Sequence, residues 1–302
     1  MKVHAIFNRD GGTFRTMDMD AFARTAQEIF EKHGHTLESE IVAGKDIVKA
    51  LKNAASEENH VLMAGGGDGT VSAAAALAWK AGVPLAVLPA GTMNLFARSL
   101  KIPLELNAAL ESLASGTIQA IDISTANDET FVHQFSIGFQ PQMIKLRNTL
   151  EFNSRWGKRL ASMRAFAKAI GRPPRFLVRL TIDGAPTERT VSAISVSNNP
   201  YGQGMLPIAD VLDRGELGIY IAERLSPLSV TKLAATVLMG SWRKNNDVNE
   251  ILAREIDLHF PHLHGHAKAT IDGELVQLER DVTIKIHAGE LRVLVPAAPP
   301  IK

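Results

Sequence analysis

Apolar positions in this chain follow two rhythms. Up to about residue 120, short apolar runs alternate with stretches in which apolar residues recur every three or four positions, as on one face of a helix. Lys2 to Phe7, Leu37 to Ile41, Val61 to Ala64 and Pro84 to Leu88 predict strands. Phe22, Ala26, Ile29, Phe30 and His33 predict a helix that Gly34 ends, and Ile47, Val48, Leu51, Ala54 and Ala55 predict a second. An alanine-rich run from Ser72 to Ala81, a short segment from Leu95 to Leu100 stopped by Pro103, and Glu105 to Ala114 add three more. Strands alternating with helices in this way predict an α/β domain on a largely parallel sheet.

The later rhythm belongs to strands. Phe131 to Ile137, Phe176 to Ile182, Val191 to Val196, Leu217 to Ala222, Glu255 to Phe260, Ala267 to Ile271, Val282 to Ile286 and Leu291 to Val295 all read as strands. Asp183-Gly184, Asp272-Gly273 and Ala288-Gly289 supply turns between several of them. Two helical segments, 154–170 and 226–240, interrupt the series. The second half is expected to be a β-rich sandwich. The boundary falls between 121 and 133, dividing the chain into an α/β domain over 1–125 and a sandwich over 126–288.

Composition then narrows the classes. A length of 302 residues fits two domains, and 45% apolar content excludes global disorder. The absence of cysteine removes disulfides, thiolate metal sites and cysteine nucleophiles together. No apolar run reaches the ~18–20 residues of a membrane span, and the start lacks a signal-peptide pattern. A cytoplasmic protein without a transmembrane segment is the expectation, and nothing points to nucleic acid.

The formal net charge of +1 conceals an asymmetry, because ten Lys/Arg between Lys145 and Arg179 face a single acid, Glu151. Such a concentration predicts an anionic surface as partner. On a helical wheel Trp156, Leu160, Met163, Ala167 and Ile170 share one side, edged by Arg155, Lys158 and Arg159 and by Arg164 and Lys168. That arrangement fits a helix lying peripherally on the inner face of an anionic membrane. It fits equally a helix packed on the sandwich with a solvated basic rim. The histidines at 259, 262, 264 and 266 lack ligand spacing and read as turn residues rather than a metal site.

Three polar, glycine-bearing turns carry the candidate chemistry. Gly65-Gly66-Gly67-Asp68-Gly69-Thr70 joins the third strand to a helix. Its glycines free the backbone for positive φ and for close approach of a ligand. The following helix aims unpaired N–H groups and its positive dipole end at the turn, a corner suited to phosphate. Asp68 would repel a bare phosphate, which places it beside Mg²⁺ or a hydroxyl that loses its proton. Thr70 stands where the dinucleotide fingerprint needs its third glycine, and no Gly-Lys-Ser/Thr follows. Asn8 to Thr13 and Pro89 to Asn94 form the other two turns, and all three follow strands at the end where parallel sheets bind ligands.

Taken together, GGGDGT (65–70), PAGTMNLFARSLKIP (89–103), SIGF (136–139), NNPYGQGMLPIAD (198–210) and IDGE (271–274) resemble the diacylglycerol kinase catalytic family. That family includes sphingosine kinases and bacterial YegS-like lipid kinases. GGDGT alone is shared with NAD kinases and phosphofructokinases, but its combination with GTxN and a late DGE is specific. The resemblance covers nearly the whole chain. It implies an N-terminal α/β domain, a C-terminal β-sandwich, an active site in the cleft between them, and a last segment, 289–302, that returns to the first domain.

The resemblance also implies roles. Asn8 and Gly12 lie in the family's nucleotide turn, where Arg9 and Asp10 depart from its pattern. Gly65, Gly66, Gly67, Asp68, Gly69, Thr70, Gly91, Thr92 and Asn94 would hold ATP, with Asp68 also organising nucleotide-bound Mg²⁺. Asp213 would serve a metal site, and Asp122 is a further acidic candidate. Glu274 would be the general base on a lipid hydroxyl, with Asp272 beside it and Asp68 completing the catalytic set. Leu95, Gln140 and Arg214 replace acids common in the family. The implied activity is an ATP- and Mg²⁺-dependent lipid kinase, with diacylglycerol the leading substrate. A kinase of a soluble substrate such as NAD, and a catalytically silent nucleotide- or lipid-binding module, stay open as alternatives. Read without the family, Asp272-Gly273 is an ordinary hairpin turn.

Overall fold

β1 (Lys2–Asn8), β2 (Thr36–Val42), β3 (Val61–Gly66) and β4 (Leu85–Pro89) pair side by side in the order β2-β1-β3-β4, every pair parallel. β3 and β4 are buried at every position, as continuous apolar runs become when both sheet faces are covered. The protein is described by a computed structural model over residues 1–56, 60–138, 141, 171, 173–182, 184–204, 206–223, 225–238, 247–263, 265 and 267–297.

Five helices connect or flank these strands: α1 (Met19–Lys32), α2 (Ile47–Ala55), α3 (Asp68–Ala81), α4 (Leu95–Ser99) and α5 (Leu106–Ala114). α1 starts where the Asp18 carboxylate accepts the Ala21 N–H, and it buries Phe22, Ala26 and Phe30. Glu105 caps α5 in the same manner, accepting from Asn107 and Ala108. α3 begins at Asp68, four residues before the alanine run. The acid, glycine and threonine of the motif therefore form the helix's first turn rather than a loop. Gly67 is its N-cap, and the Val71 N–H bonds back to the Gly67 carbonyl.

The remaining strands are antiparallel to their neighbours within their own part of the chain. β5 (Thr117–Ala126) pairs with β6 (Glu129–Phe131). β7 (Gln134–Gly138), β8 (Phe176–Ile182), β9 (Ala185–Ser197) and β10 (Leu217–Glu223) follow, then α6 (Pro227–Leu238). β11 (Val248–Ala253), β12 (Glu255–His259), β13 (Lys268–Ile271), β14 (Glu274–Gln277) and β15 (Asp281–Val295) complete the chain. β9 is the organising strand: its first half pairs with β8, and its second half lies between β7 and β10. Phe135, Ile137, Val178, Ile194, Val196 and Ile219 meet in a core typical of a sandwich.

Several elements differ from the sequence reading. β5, β11 and β14 form where no strand was expected. The strand read over Phe131 to Ile137 divides into β6 and β7, because a carboxylate from the β13–β14 turn captures the N–H groups of residues 132–134. The two strands read at Val282–Ile286 and Leu291–Val295 are one strand of 15 residues. Gly289 does adopt positive φ, but as a bend within that strand. Its amide is held by the buried Asp122 carboxylate at 2.9 Å.

The chain forms two units. One comprises Met1–Ile123, Val211–Arg214 and His287–Lys302, the other Ser124–Asp210 and Gly215–Ile286. β15 enters both, pairing antiparallel with β12 through Asp281–Lys285 and parallel with β4 at Val293 and Leu294. The basic helix read over 154–170, most of the 145–179 stretch, Gln140, Asp183, His264 and His266 lie outside the described residues. Among the described residues no helix is long and apolar enough to cross a membrane.

Candidate active site

In the first unit β1, β3 and β4 are adjacent and parallel, so the turns that follow them share one edge of the sheet. Backbone bonds tie them directly: the Thr13 N–H donates to the Ala90 carbonyl at 2.9 Å, and the Ala90 N–H to the Gly66 carbonyl at 3.0 Å. Asn8 adds a side-chain link, its amide donating to Thr70 Oγ1 at 3.1 Å while its Oδ1 accepts the Asp10 N–H. Asp10, one of the departures from the family pattern, accepts the Gly44 N–H at 2.7 Å and so joins the β1 and β2 loops.

None of Gly65, Gly66, Gly67, Gly69 or Gly91 has positive φ, contrary to the expectation from their number. The glycines are there for space. A Cβ on Gly12 would stand 2.4 Å from the Ala90 carbonyl oxygen, and one on Gly91 would stand 2.6 Å from Gly67 Cα. A Cβ on Gly65 would strike the Phe7 ring, and one on Gly66 the Thr70 side chain, both at 2.7 Å. Gly67 is different, since its Cβ would meet only Gly91 Cα at an ordinary 3.7 Å. Packing does not require glycine at 67. As N-cap it offers no side chain, so it leaves the first amides of α3 without the usual side-chain acceptor. This is a fit for an anionic oxygen.

The left-handed residue of this corner is Asn94, with φ 51° and ψ 44°. Asparagine tolerates that region when its side chain bonds locally. Here Oδ1 accepts the Gly91 N–H at 2.9 Å and Nδ2 donates to the Gly91 carbonyl at 2.8 Å. Asp68 closes the corner by accepting the Asn94 N–H at 3.1 Å and the Leu95 N–H at 2.8 Å. Its carboxylate thus stands at the start of α4 and joins the turns after β3 and β4. Thr92, in the turn after β4, is exposed.

In the second unit, Asp272-Gly273 connects β13 to β14 as a two-residue hairpin turn, with Ile271 paired to Glu274. Both turn residues have positive φ, 46° and 88°, the signature of a type I′ turn. The Asp272 carboxylate accepts three backbone N–H groups, from Val132 at 3.0 Å and from His133 and Gln134 at 2.9 Å each. Glu274, the first residue of β14, is exposed and has no side-chain hydrogen bond among the described residues. The hairpin also helps to line a largely apolar cavity of about 680 Å³ through Lys268 and Leu275, with Phe176, Phe260, Leu263 and Leu278 among the other lining residues.

The structure brings Asn8, Gly12, Gly65 to Thr70, Gly91 and Asn94 together in one unit and places Asp272 and Glu274 in the other. Asp213 is exposed in the short 211–214 segment of the first unit, where the Leu212 carbonyl accepts the Asp122 N–H at 2.7 Å. No group of three or more His, Asp or Glu with metal-holding geometry occurs among the described residues. The reading from sequence passed over Gln134 and Tyr201. Tyr201 stands within the 198–210 motif but received no role there, no motif marks Gln134, and only the tertiary structure joins the buried Tyr201 hydroxyl to Gln134 Oε1.

Comparison with known proteins shows what the chain resembles. The family model described as diacylglycerol kinase catalytic domain matches residues 2–126. The model described as YegS C-terminal NAD kinase beta sandwich-like domain matches residues 145–295. A diacylglycerol kinase of Mycobacterium tuberculosis is 28% identical over 248 residues, 74% of this chain and 78% of that one. An uncharacterized protein of Synechocystis is 26% identical over 272 residues, 83% of this chain but 59% of the relative's own length. A crystal structure of a diacylglycerol kinase from Bacillus anthracis superposes with a TM-score of 0.69 at 18% identity, covering 97% of this chain and 96% of that one.

Proposed function

This chain belongs to the diacylglycerol kinase catalytic family, and on that premise we propose that it is an ATP-dependent lipid kinase that phosphorylates a lipid hydroxyl, diacylglycerol being the leading substrate. The observation that favours a lipid over a soluble acceptor is the apolar cavity of about 680 Å³ lined in part by the hairpin that carries Glu274. An acyl chain is the natural occupant of such a surface.

Roles follow from the chemistry of each group. The uncapped amides of α3 and the backbone of the turns after β1 and β4 hold the phosphates of ATP, with Asn94 and Asp68 fixing the shape of the last turn. Glu274, exposed and without a competing partner among the described residues, accepts the proton of the lipid hydroxyl as that oxygen bonds to the γ-phosphorus, whose bond to the bridging oxygen breaks to release ADP. Mg²⁺ would neutralise phosphate charge when bound with the nucleotide, where Asp68 is the acid assigned to it; Asp213 is assigned to a separate, structural Mg²⁺ site. Attachment at an anionic membrane surface through the 145–179 basic stretch belongs to the same proposal.

A panel of extracted lipids together with NAD, incubated with labelled ATP and Mg²⁺, tests the reading directly. Label in a diacylglycerol product is the expected result. Label in NAD alone would replace the lipid reading with the soluble-substrate one. No transfer to any acceptor would leave a binding module.

A further inference from the structure

We propose that Asp272 is a positioning residue: its carboxylate clamps the backbone of residues 132–134 and thereby fixes the hairpin from which Glu274 projects, taking no proton itself. The proposal rests on the reading of Glu274 as general base. A carboxylate offers about four acceptor positions. Here Oδ1 takes the N–H groups of His133 and Gln134, Oδ2 takes that of Val132, and the Asp272 N–H returns a bond to the Gln134 carbonyl at 2.9 Å. The bonds continue the β7–β13 ladder, which ends with Ile271 paired to Phe135. They also agree with the φ of 46° at Asp272, which the type I′ turn requires and an aspartate tolerates.

The clamped segment is itself anchored. Gln134 Oε1 accepts the Ser195 hydroxyl at 3.1 Å and the Tyr201 hydroxyl. Burial pushes the Tyr201 phenol pKa up, so the group stays a donor across the working pH range. Its ring stacks on Tyr220 with centroids 4.7 Å apart, and its amide donates to the Tyr220 hydroxyl at 2.8 Å. A chain of bonds therefore runs from the buried tyrosine pair through Gln134 to Asp272 and the turn. Glu274, which has no side-chain partner among the described residues, depends on that turn for its position. Asparagine cannot substitute for Asp272, because one of its two terminal atoms would confront an N–H with an N–H.

Steady-state kinetics on the full chain, with diacylglycerol in mixed micelles, provide the test through Asp272→Asn, Glu274→Gln and the double variant. Asp272→Asn is expected to lower kcat ~10²-fold, the scale of a small misplacement of a reacting group, while KM for ATP stays within ~2-fold. In the Glu274→Gln background the same change is expected to cost nothing further, because Asp272 acts only through Glu274. Hydrogen exchange at the amides of 132–134 should accelerate in Asp272→Asn. An unchanged kcat, or a loss that multiplies with that of Glu274→Gln, overturns the proposal while the kinase reading stands. Should Asp272→Asn fail to fold, Tyr201→Phe keeps the stack and removes only the hydroxyl; a kcat reduced several-fold supports the clamp, and an unchanged kcat overturns it. A wild-type chain that phosphorylates no lipid removes the underlying reading and the proposal with it.

Discussion

Glycine serves opposite purposes in the two motif regions. In the parallel-sheet unit the glycines of the 65–69 and 91 turns keep ordinary φ, and most are small because another chain segment or ring passes where a Cβ would be. In the antiparallel unit Gly273 has nothing within 4 Å of its hypothetical Cβ, and what matters there is its φ of 88°. Parallel strands place several successive turns at one edge, where they crowd each other. A hairpin turn stands alone and needs only the right twist. The same letter in a motif thus reports lack of room in one place and handedness in the other.

Substitutions separate these two causes. Gly12→Ala and Gly91→Ala drive a methyl into backbone that cannot step aside, and each is expected to cost about 3 kcal/mol or more and to abolish ATP-dependent activity. Gly273→Ala is expected to cost about 1–2 kcal/mol, the penalty of left-handed backbone alone, and Gly273→Asn less than that. Denaturant unfolding of the four variants makes the comparison. Equal costs at 12 and 273 would mean that space does not distinguish the two regions.

The motif acids sharpen the contrast from the other side, because both bind backbone amides. Asp68→Ala leaves the Asn94 and Leu95 N–H groups without their acceptor and is expected to lower stability by about 2 kcal/mol. Full stability with lost activity would instead assign Asp68 to ligand alone. Asn94→Gly and Asn94→Ala both lose the two bonds to Gly91, but alanine also bears the left-handed penalty. Their unfolding free energies should therefore differ by about 1 kcal/mol.

The smallest effect expected lies away from both motifs. Glu111 on α5 receives a bond from His33 at 2.9 Å and lies near Lys32 at the end of α1. The hydrogen bond from His33, more than the neighbouring charges, holds its carboxyl below the ordinary carboxylate value. A lowered folded-state pKa means that the carboxylate contributes stability above the unfolded-state value and loses it as pH falls through the folded one. Glu111→Gln should flatten the acid side of the stability profile slightly. A profile identical to wild type would show the pair to be inert, as many exposed ion pairs are.

Legibility in the sequence followed the range of the interactions. The four parallel strands and their helices were readable because apolar spacing and capping residues act within a few positions. β14 has four residues and β5 begins with four exposed ones, so neither carries a strong alternating signal. The break between β6 and β7 could not be foreseen at all. Its cause is the Asp272 carboxylate, about 140 positions further along the chain. That carboxylate reaches the three amides only once β13 has paired with β7.

Sequence by itself determined the family, the alternation of strands and helices up to α5, and the identity of the glycine turns on which the proposed phosphate site rests. Spacing and residue type suffice for that, since glycine, acid and amide act locally. Tertiary structure decided what each of those residues touches. It showed that most motif glycines make room, that Asn94 rather than a glycine takes the left-handed turn, and that Asp68 and Asp272 each hold a neighbouring loop by its N–H groups. Those partners meet only when strands far apart in the chain come into register, and no local pattern records that.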